Sequence, residues 1–175
     1  MTSKYELTTE TNSLFGTTLR RVKALRDIPR HGVKAGDLGG WIEKAENLSQ
    51  VGECWVGDNA SVWGNARVGD NASVGDNASV GDPQHCITVG PVGSESITVT
   101  IYRTSDGHQV LAGCWGPGTL DELRAEVKRR EKDEWAHRDP ADVGRWTAQY
   151  KHIGLLGEAL VASWDVERAD EETVK

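Results

Sequence analysis

Valine recurs at every sixth position through the middle of the chain, at Val56, Val62, Val68, Val74 and Val80. Alanine follows four residues after each of the first four, at Ala60, Ala66, Ala72 and Ala78. The unit reads V-G-D-N-A-S at 56–61, 68–73 and 74–79, with the variant V-W-G-N-A-R at 62–67. A period of six is not helical, and a plain strand would repeat every two residues. Six residues build one flat face, a short strand plus a corner, and three faces close a triangular coil of about 18 residues. Valine is expected to fill the interior, with alanine near the corner where the walls converge. Gly-Asp and Asn are expected at the corners, because these residues tolerate a positive φ at least cost. Upstream, the small-residue column continues in phase through Cys54, Leu48 and Ile42, while the valine column degrades to Gln50, Lys44 and Leu38.

This unit resembles that of the hexapeptide-repeat family. The resemblance implies a short left-handed parallel β-helix over 38–85, about 2.5 coils at about 18 residues each, associating as a homotrimer along the coil axis. Trp41, Trp55 and Trp63 are candidates to cover its first turn or an outer face. The lead-in G-D-L-G-G-W-I-E…E-N-L-S at 36–49, preceded by a basic strand, further resembles small hexapeptide-repeat proteins of phages and prophages over Lys4 to Val80. The segments ITVGPVGS, TIYRTSDG, GCW and GTLDEL also resemble a module that follows hexad arrays in some phage-related proteins.

Alternation predicts two short strands in YELTTET and TTLRRVKAL, so residues 1–37 are expected to form an N-terminal β cap. The hexads break at Pro83. CITVG, SITVTIYRT and, after the turn SDGH, QVLAGCW then alternate as strands. Thr119 with Glu122 makes a capping box for a first helix, and Asp139-Pro140 opens a second. The second helix carries Val143, Trp146, Tyr150, Ile153, Gly157, Leu160 and Trp164 at alternating spacings of three and four, a coiled-coil-like seam. The fold class is therefore mainly β with α, with residues 86–175 as a β-hairpin plus two helices. The seam favours packing on the chain itself and leaves open a dimer through this helix.

Composition sharpens this picture. Among 175 residues there are 20 Gly and 7 Trp but one Phe and one Met, unlike the core of a sandwich or bundle. A net charge of −7 argues against general nucleic-acid binding. The three scattered cysteines, Cys54, Cys86 and Cys114, read as reduced thiols, Cys114 buried on a strand. With no secretory leader and no long apolar run, a cytoplasmic, membrane-free protein is expected.

Chemistry is sparse. Acyl transfer, which many hexapeptide-repeat proteins perform from coenzyme A, needs a His base on a coil loop; His31 and His85 flank the hexads and none lies within them. No cofactor or metal is expected, since His85-Cys86 and Asp106-x-His108 lack zinc spacing. The ladder of Asp58, Asp70, Asp76 and Asp82 beside Asn59, Asn65, Asn71 and Asn77 is read as corner residues rather than a Ca²⁺ site. Arg20, Arg21, Lys23, Arg26, Arg30 and Lys34 form a basic stretch interrupted by one acid, Asp27. It suits either a phosphate-rich ligand or a solvated face. Trp63 could stack on a base, and Arg103, Asp106 and His137 are the polar candidates of the C-terminal module. The expected function is a non-enzymatic oligomeric binding protein of phage type, inhibiting host defence by binding a host protein or sequestering a signalling nucleotide. An acyltransferase and a structural or virion-accessory protein are the alternatives.

Overall fold

A computed structural model describes residues 3–75 and 77–173. The chain forms two compact units, one holding the chain up to Ile87 with Tyr102–Asp106, the other Thr88–Ile101 and the chain from Gly107 onward.

In the first unit, β1 (Tyr5–Leu14) and β2 (Thr17–Ala24) make an antiparallel hairpin. Its two-residue loop, Phe15 and Gly16, has φ of 49° and 79°, the sense of turn that matches strand twist. β2 pairs antiparallel with β3 (Leu38–Ile42), and the register slips between Arg21 and Lys23, opposite Gly39 and Gly40. The hexads supply β4 (Trp55–Val56), β5 (Ser61–Val62), β6 (Ser73–Val74) and β7 (Ser79–Val80). β4 and β5 are two residues long because the chain turns straight after them, through Gly57-Asp58-Asn59 after Val56 and Trp63-Gly64-Asn65 after Val62; Asp58 and Gly64 hold φ of 49° and 61°, as Asp70 does at 52° after Val68.

The expected left-handed parallel β-helix with a separate N-terminal cap is corrected by this topology. Residues 38–85 are divided between a mixed five-stranded sheet, in the order β1-β2-β3-β5-β7, and the isolated parallel pair β4-β6. Antiparallel pairing dominates the chain, and the N-terminal hairpin extends the mixed sheet instead of capping it. Two physical causes are visible. Each parallel ladder ends after two residues, whereas β1 and β2 pair over most of their length. The period also breaks upstream: Ser61 pairs with Ser79, eighteen residues on, but Trp41 pairs with Ser61 and Leu48 with Val68, each twenty on. Ile42 and Leu48 thus fall in line with Val62 and Val68, not with the alanines. The two extra residues lie between Leu48 and Val56, in a turn containing Gly52 at φ 75°.

Val56, Val62, Val68, Val74 and Val80 are all fully buried, with Ile42 and Leu48 beside them. The walls approach so closely that a Cβ on Gly40 would lie 2.5 Å from the Ala60 carbonyl oxygen and 2.9 Å from that of Gly57.

The four strands β8 (Cys86–Val92), β9 (Ile97–Thr104), β10 (Gly107–Ala112) and β11 (Trp115–Gly118) form a second sheet in the order β11-β10-β9-β8. The expected C-terminal hairpin is therefore a four-stranded sheet. The return strand QVLAGCW breaks at Gly113, φ 65°, which places Cys114 in an exposed turn and not buried on a strand. α1 (Leu120–Lys132) starts at Thr119, whose hydroxyl accepts from the Glu122 amide while Glu122 accepts from the Thr119 amide. α2 (Pro140–Thr173) runs unbroken through Gly154 and Gly157, its first turn held by Asp139 accepting from the Ala141 amide. Its seam turns onto its own unit: Trp135 stacks on Tyr150 at 6.3 Å, and Gly157 sits where a Cβ would meet Leu120 and Ile101 within 3 Å. Among the described residues no helix is long and apolar enough to cross a membrane.

Two glycine substitutions separate packing from propensity. Gly40→Ala must displace backbone and is expected to destabilise the protein by about 2 kcal/mol or more. Gly144→Ala, in open space on α2, is expected to stabilise it by about 0.5–1 kcal/mol. Urea denaturation of the two variants checks both signs.

Candidate functional site

The basic stretch is distributed over β2 and the turns that follow it. Four of its cations are each turned to a different neighbour. Lys23 lies 3.9 Å from Glu6, and the Arg26 guanidinium donates to the Gly52 carbonyl at 3.1 Å. Arg30 Nε meets Glu53 at 3.4 Å, and Lys34 meets Asp27 at 3.2 Å. The Ala35 amide and then Lys34 hold the Asp27 carboxyl below its usual range. Arg20 is exposed on β2. Arg21 lies across the sheet from Trp41, its guanidinium carbon 5.0 Å from the ring centre, a cation–π contact. Its Nε is buried with no hydrogen-bond partner. These exposed ion pairs contribute little to stability, yet they take up charge that an anion would need.

The other sequence candidates lie apart from one another. Trp63 is half-buried, 6.1 Å from the Phe15 ring and folded over Gly81, where a Cβ would come within 2.6 Å of the indole. Arg103, on β9, is buried, and Asp106 is exposed, accepting from the Ser105 hydroxyl at 3.4 Å. His137 is exposed in the link between α1 and α2. Arg103 and Asp106 belong to the first unit and His137 to the second. Among the described residues no three His, Cys, Asp or Glu side chains are grouped to hold a metal; Asp76 of the corner ladder lies outside those residues.

Two features were missed from the sequence. The first is a groove of about 240 Å³ between α1 and α2. Leu120, Leu123, Val127 and Tyr150 form its apolar lining, Lys128 and Lys151 are exposed on the rim, and Glu131 lines it too, accepting from the Thr147 hydroxyl at 2.6 Å. Arg124, also on the rim, is engaged by Asp121 and Glu158. The apolar spacing of Leu120, Leu123 and Val127 marked one wall, but only packing against α2 makes it a groove. The second feature is a buried polar cluster around Lys4, whose side chain is fully enclosed in the first unit. The Lys4 amine donates to the Cys54 carbonyl at 2.8 Å and approaches the Cys54 sulfur at 2.9 Å. Burial holds this amine below its ordinary range. Gln50 bridges the Lys4 amide and the Tyr5 carbonyl, while the Tyr5 hydroxyl donates to Leu48 and its burial raises the phenol to about 12. No spacing rule pairs position 4 with 54.

Beside the groove, α1 carries a dense ion network. Glu126 accepts from Arg129 at 2.8 Å and from Arg130 at 2.7 Å, and Arg129 also reaches Glu134. Arg129, followed by Arg130, lowers the Glu126 carboxyl to about 2. No protein-family model matches this chain, and no curated protein does.

Glu126 titrates below its usual 4.5 in the folded state, so its stabilisation is complete above that value and is lost as pH falls from about 4.5 toward 2. Helix stability followed by circular dichroism in urea is expected to drop through this window, and less steeply in Glu126→Gln. Equal slopes in the two proteins would contradict the network's role.

Proposed function

We propose that the chain is a non-enzymatic binding protein of phage or prophage type that inhibits a host defence system by holding a host protein in the host cytoplasm. The observation that best supports this is the α1–α2 groove: an apolar floor with two exposed lysines on its rim. Such a surface suits an acidic, amphipathic helical segment, whose apolar anchors enter the groove while its carboxylates meet Lys128 and Lys151. Leu155 and Leu156, half-exposed on α2, add apolar surface on the same helix. A phosphate-rich ligand on the basic stretch has less support, because Lys23, Arg30 and Lys34 already face carboxylates. Self-association belongs to the proposal as a trimer, supported by Phe15 and Val51, which stand 63% and 77% exposed on the first unit. A dimer through the α2 seam has less support, since Tyr150, Ile153 and Trp164 are buried.

Expression of the protein is expected to raise plaque counts on a defended host and leave an undefended host unchanged. The double substitution Lys128→Glu with Lys151→Glu is expected to abolish that rescue and to weaken capture of the host protein about tenfold or more. Lys34→Glu, on the first unit, is expected to leave both intact. Native mass spectrometry of the protein from a bacterial lysate reads the alternatives: a small extra mass released on denaturation would favour a nucleotide over a protein partner.

A further inference from the structure

We propose that Lys4 and Cys54 are an oxidation-sensitive cross-linking pair, joined by a sulfur–nitrogen bond when the thiol meets a hydroperoxide. Both side chains are fully buried, and the lysine amine is hydrogen-bonded to the carbonyl and the sulfur of Cys54. A lysine enclosed in this way is costly as an ammonium, and its lowered proton affinity enlarges the neutral fraction, whose lone pair is a nucleophile. The thiol itself is oriented by the Ser49 and Val51 carbonyls, to which it donates at 3.5 and 3.8 Å. Cys54 closes the two-residue insertion turn, whose Val51 is 77% exposed, so oxidant reaches the sulfur by opening one surface turn and not the valine interior.

The chemistry balances in two steps. Hydrogen peroxide transfers one oxygen to the thiol, giving the sulfenic acid and one water; sulfur is oxidised and peroxide reduced. The neutral Lys4 amine then attacks that sulfur, the S–O bond breaks, and the hydroxyl leaves as water with one amine proton. The product retains one N–H and joins strand β1 covalently to the turn before β4. The amine at 2.9 Å is the nitrogen nucleophile beside the sulfur. The link would tie residues 4 and 54 together, removing unfolded-state freedom as a disulfide does.

The test uses the full chain, treated with hydrogen peroxide, digested without reductant and mapped by mass spectrometry. The exposed Cys114 reports that oxidant was delivered. The expected result is a joined pair of peptides carrying Lys4 and Cys54, lighter than their sum by two hydrogens and separated by dithiothreitol, with a raised Tm of the intact protein that falls back on reduction. Oxygen retained on Cys54 with Lys4 free, or an untouched Cys54 in protein whose Cys114 is oxidised, would overturn the proposal.

Discussion

The first unit depends on parallel hydrogen bonds that join residues seventeen or nineteen apart. Ser61 and Trp63 donate to Ala78 and Val80, Trp55 and Gly57 to Ala72 and Val74, and Trp41 and Glu43 to Ala60 and Val62. Each wall therefore lies directly over the next, and the side chain between two corners has one place to go. Valine fits because its branched side chain fills that space with little rotamer freedom to lose. Glycine is required at positions 39 and 40 for the same reason, since the neighbouring wall leaves no room for a Cβ. The interior of these walls is filled by valine, isoleucine and leucine rather than by aromatic rings, and close approach of the backbone holds them together.

Where the walls are irregular, polar side chains replace the missing ladder bonds. Asn47 is fully buried; its amide donates to Gly64 and Ala66 carbonyls, and its carbonyl accepts from Lys44. Glu43 does the same for the Gly64 amide, and His85 accepts at its Nδ1 from Gly81 and Asp82. Gln50, Tyr5 and Lys4 stitch the start of β1 to the insertion turn. Each donor or acceptor left unpaired in such places would cost about 1–3 kcal/mol. His31 is held below its ordinary range by burial, then by Arg30.

The second unit follows different rules. Its antiparallel sheet and two helices bury Val99, Ile101, Val110, Leu120, Leu123 and Trp135 in an ordinary apolar core. α2 passes close to α1 because Gly157 lets it, and the shallow space left between the helices toward Lys128 and Lys151 is the groove. The proposed binding role rests on this surface rather than on the basic stretch, where Lys23, Arg30 and Lys34 face carboxylates and Arg21 a tryptophan ring. Fold by itself names no partner; the proposed acidic partner rests on the apolar floor of this groove and the exposed Lys128 and Lys151.

Local signals were legible in the chain before folding. The six-residue valine period, the αL corners at Asp58 and Asp70, the hairpin at 5–24, the capping box at Thr119 and the start at Asp139-Pro140 all rest on nearest-neighbour sterics and hydrogen bonds, which the sequence carries directly. The phase of Ile42 and Leu48 was not legible, because a two-residue insertion shifts pairing without altering the composition of either side. Neither was the sheet architecture: which strand lies beside which is decided by backbone pairing between segments well apart in the sequence, and a repeat period does not exclude an antiparallel neighbour such as β2. The α1–α2 groove and the Lys4–Cys54 contact belong to the same class. They exist only because distant segments are packed together, so the residues were visible in the sequence while their meeting was decided by the tertiary structure.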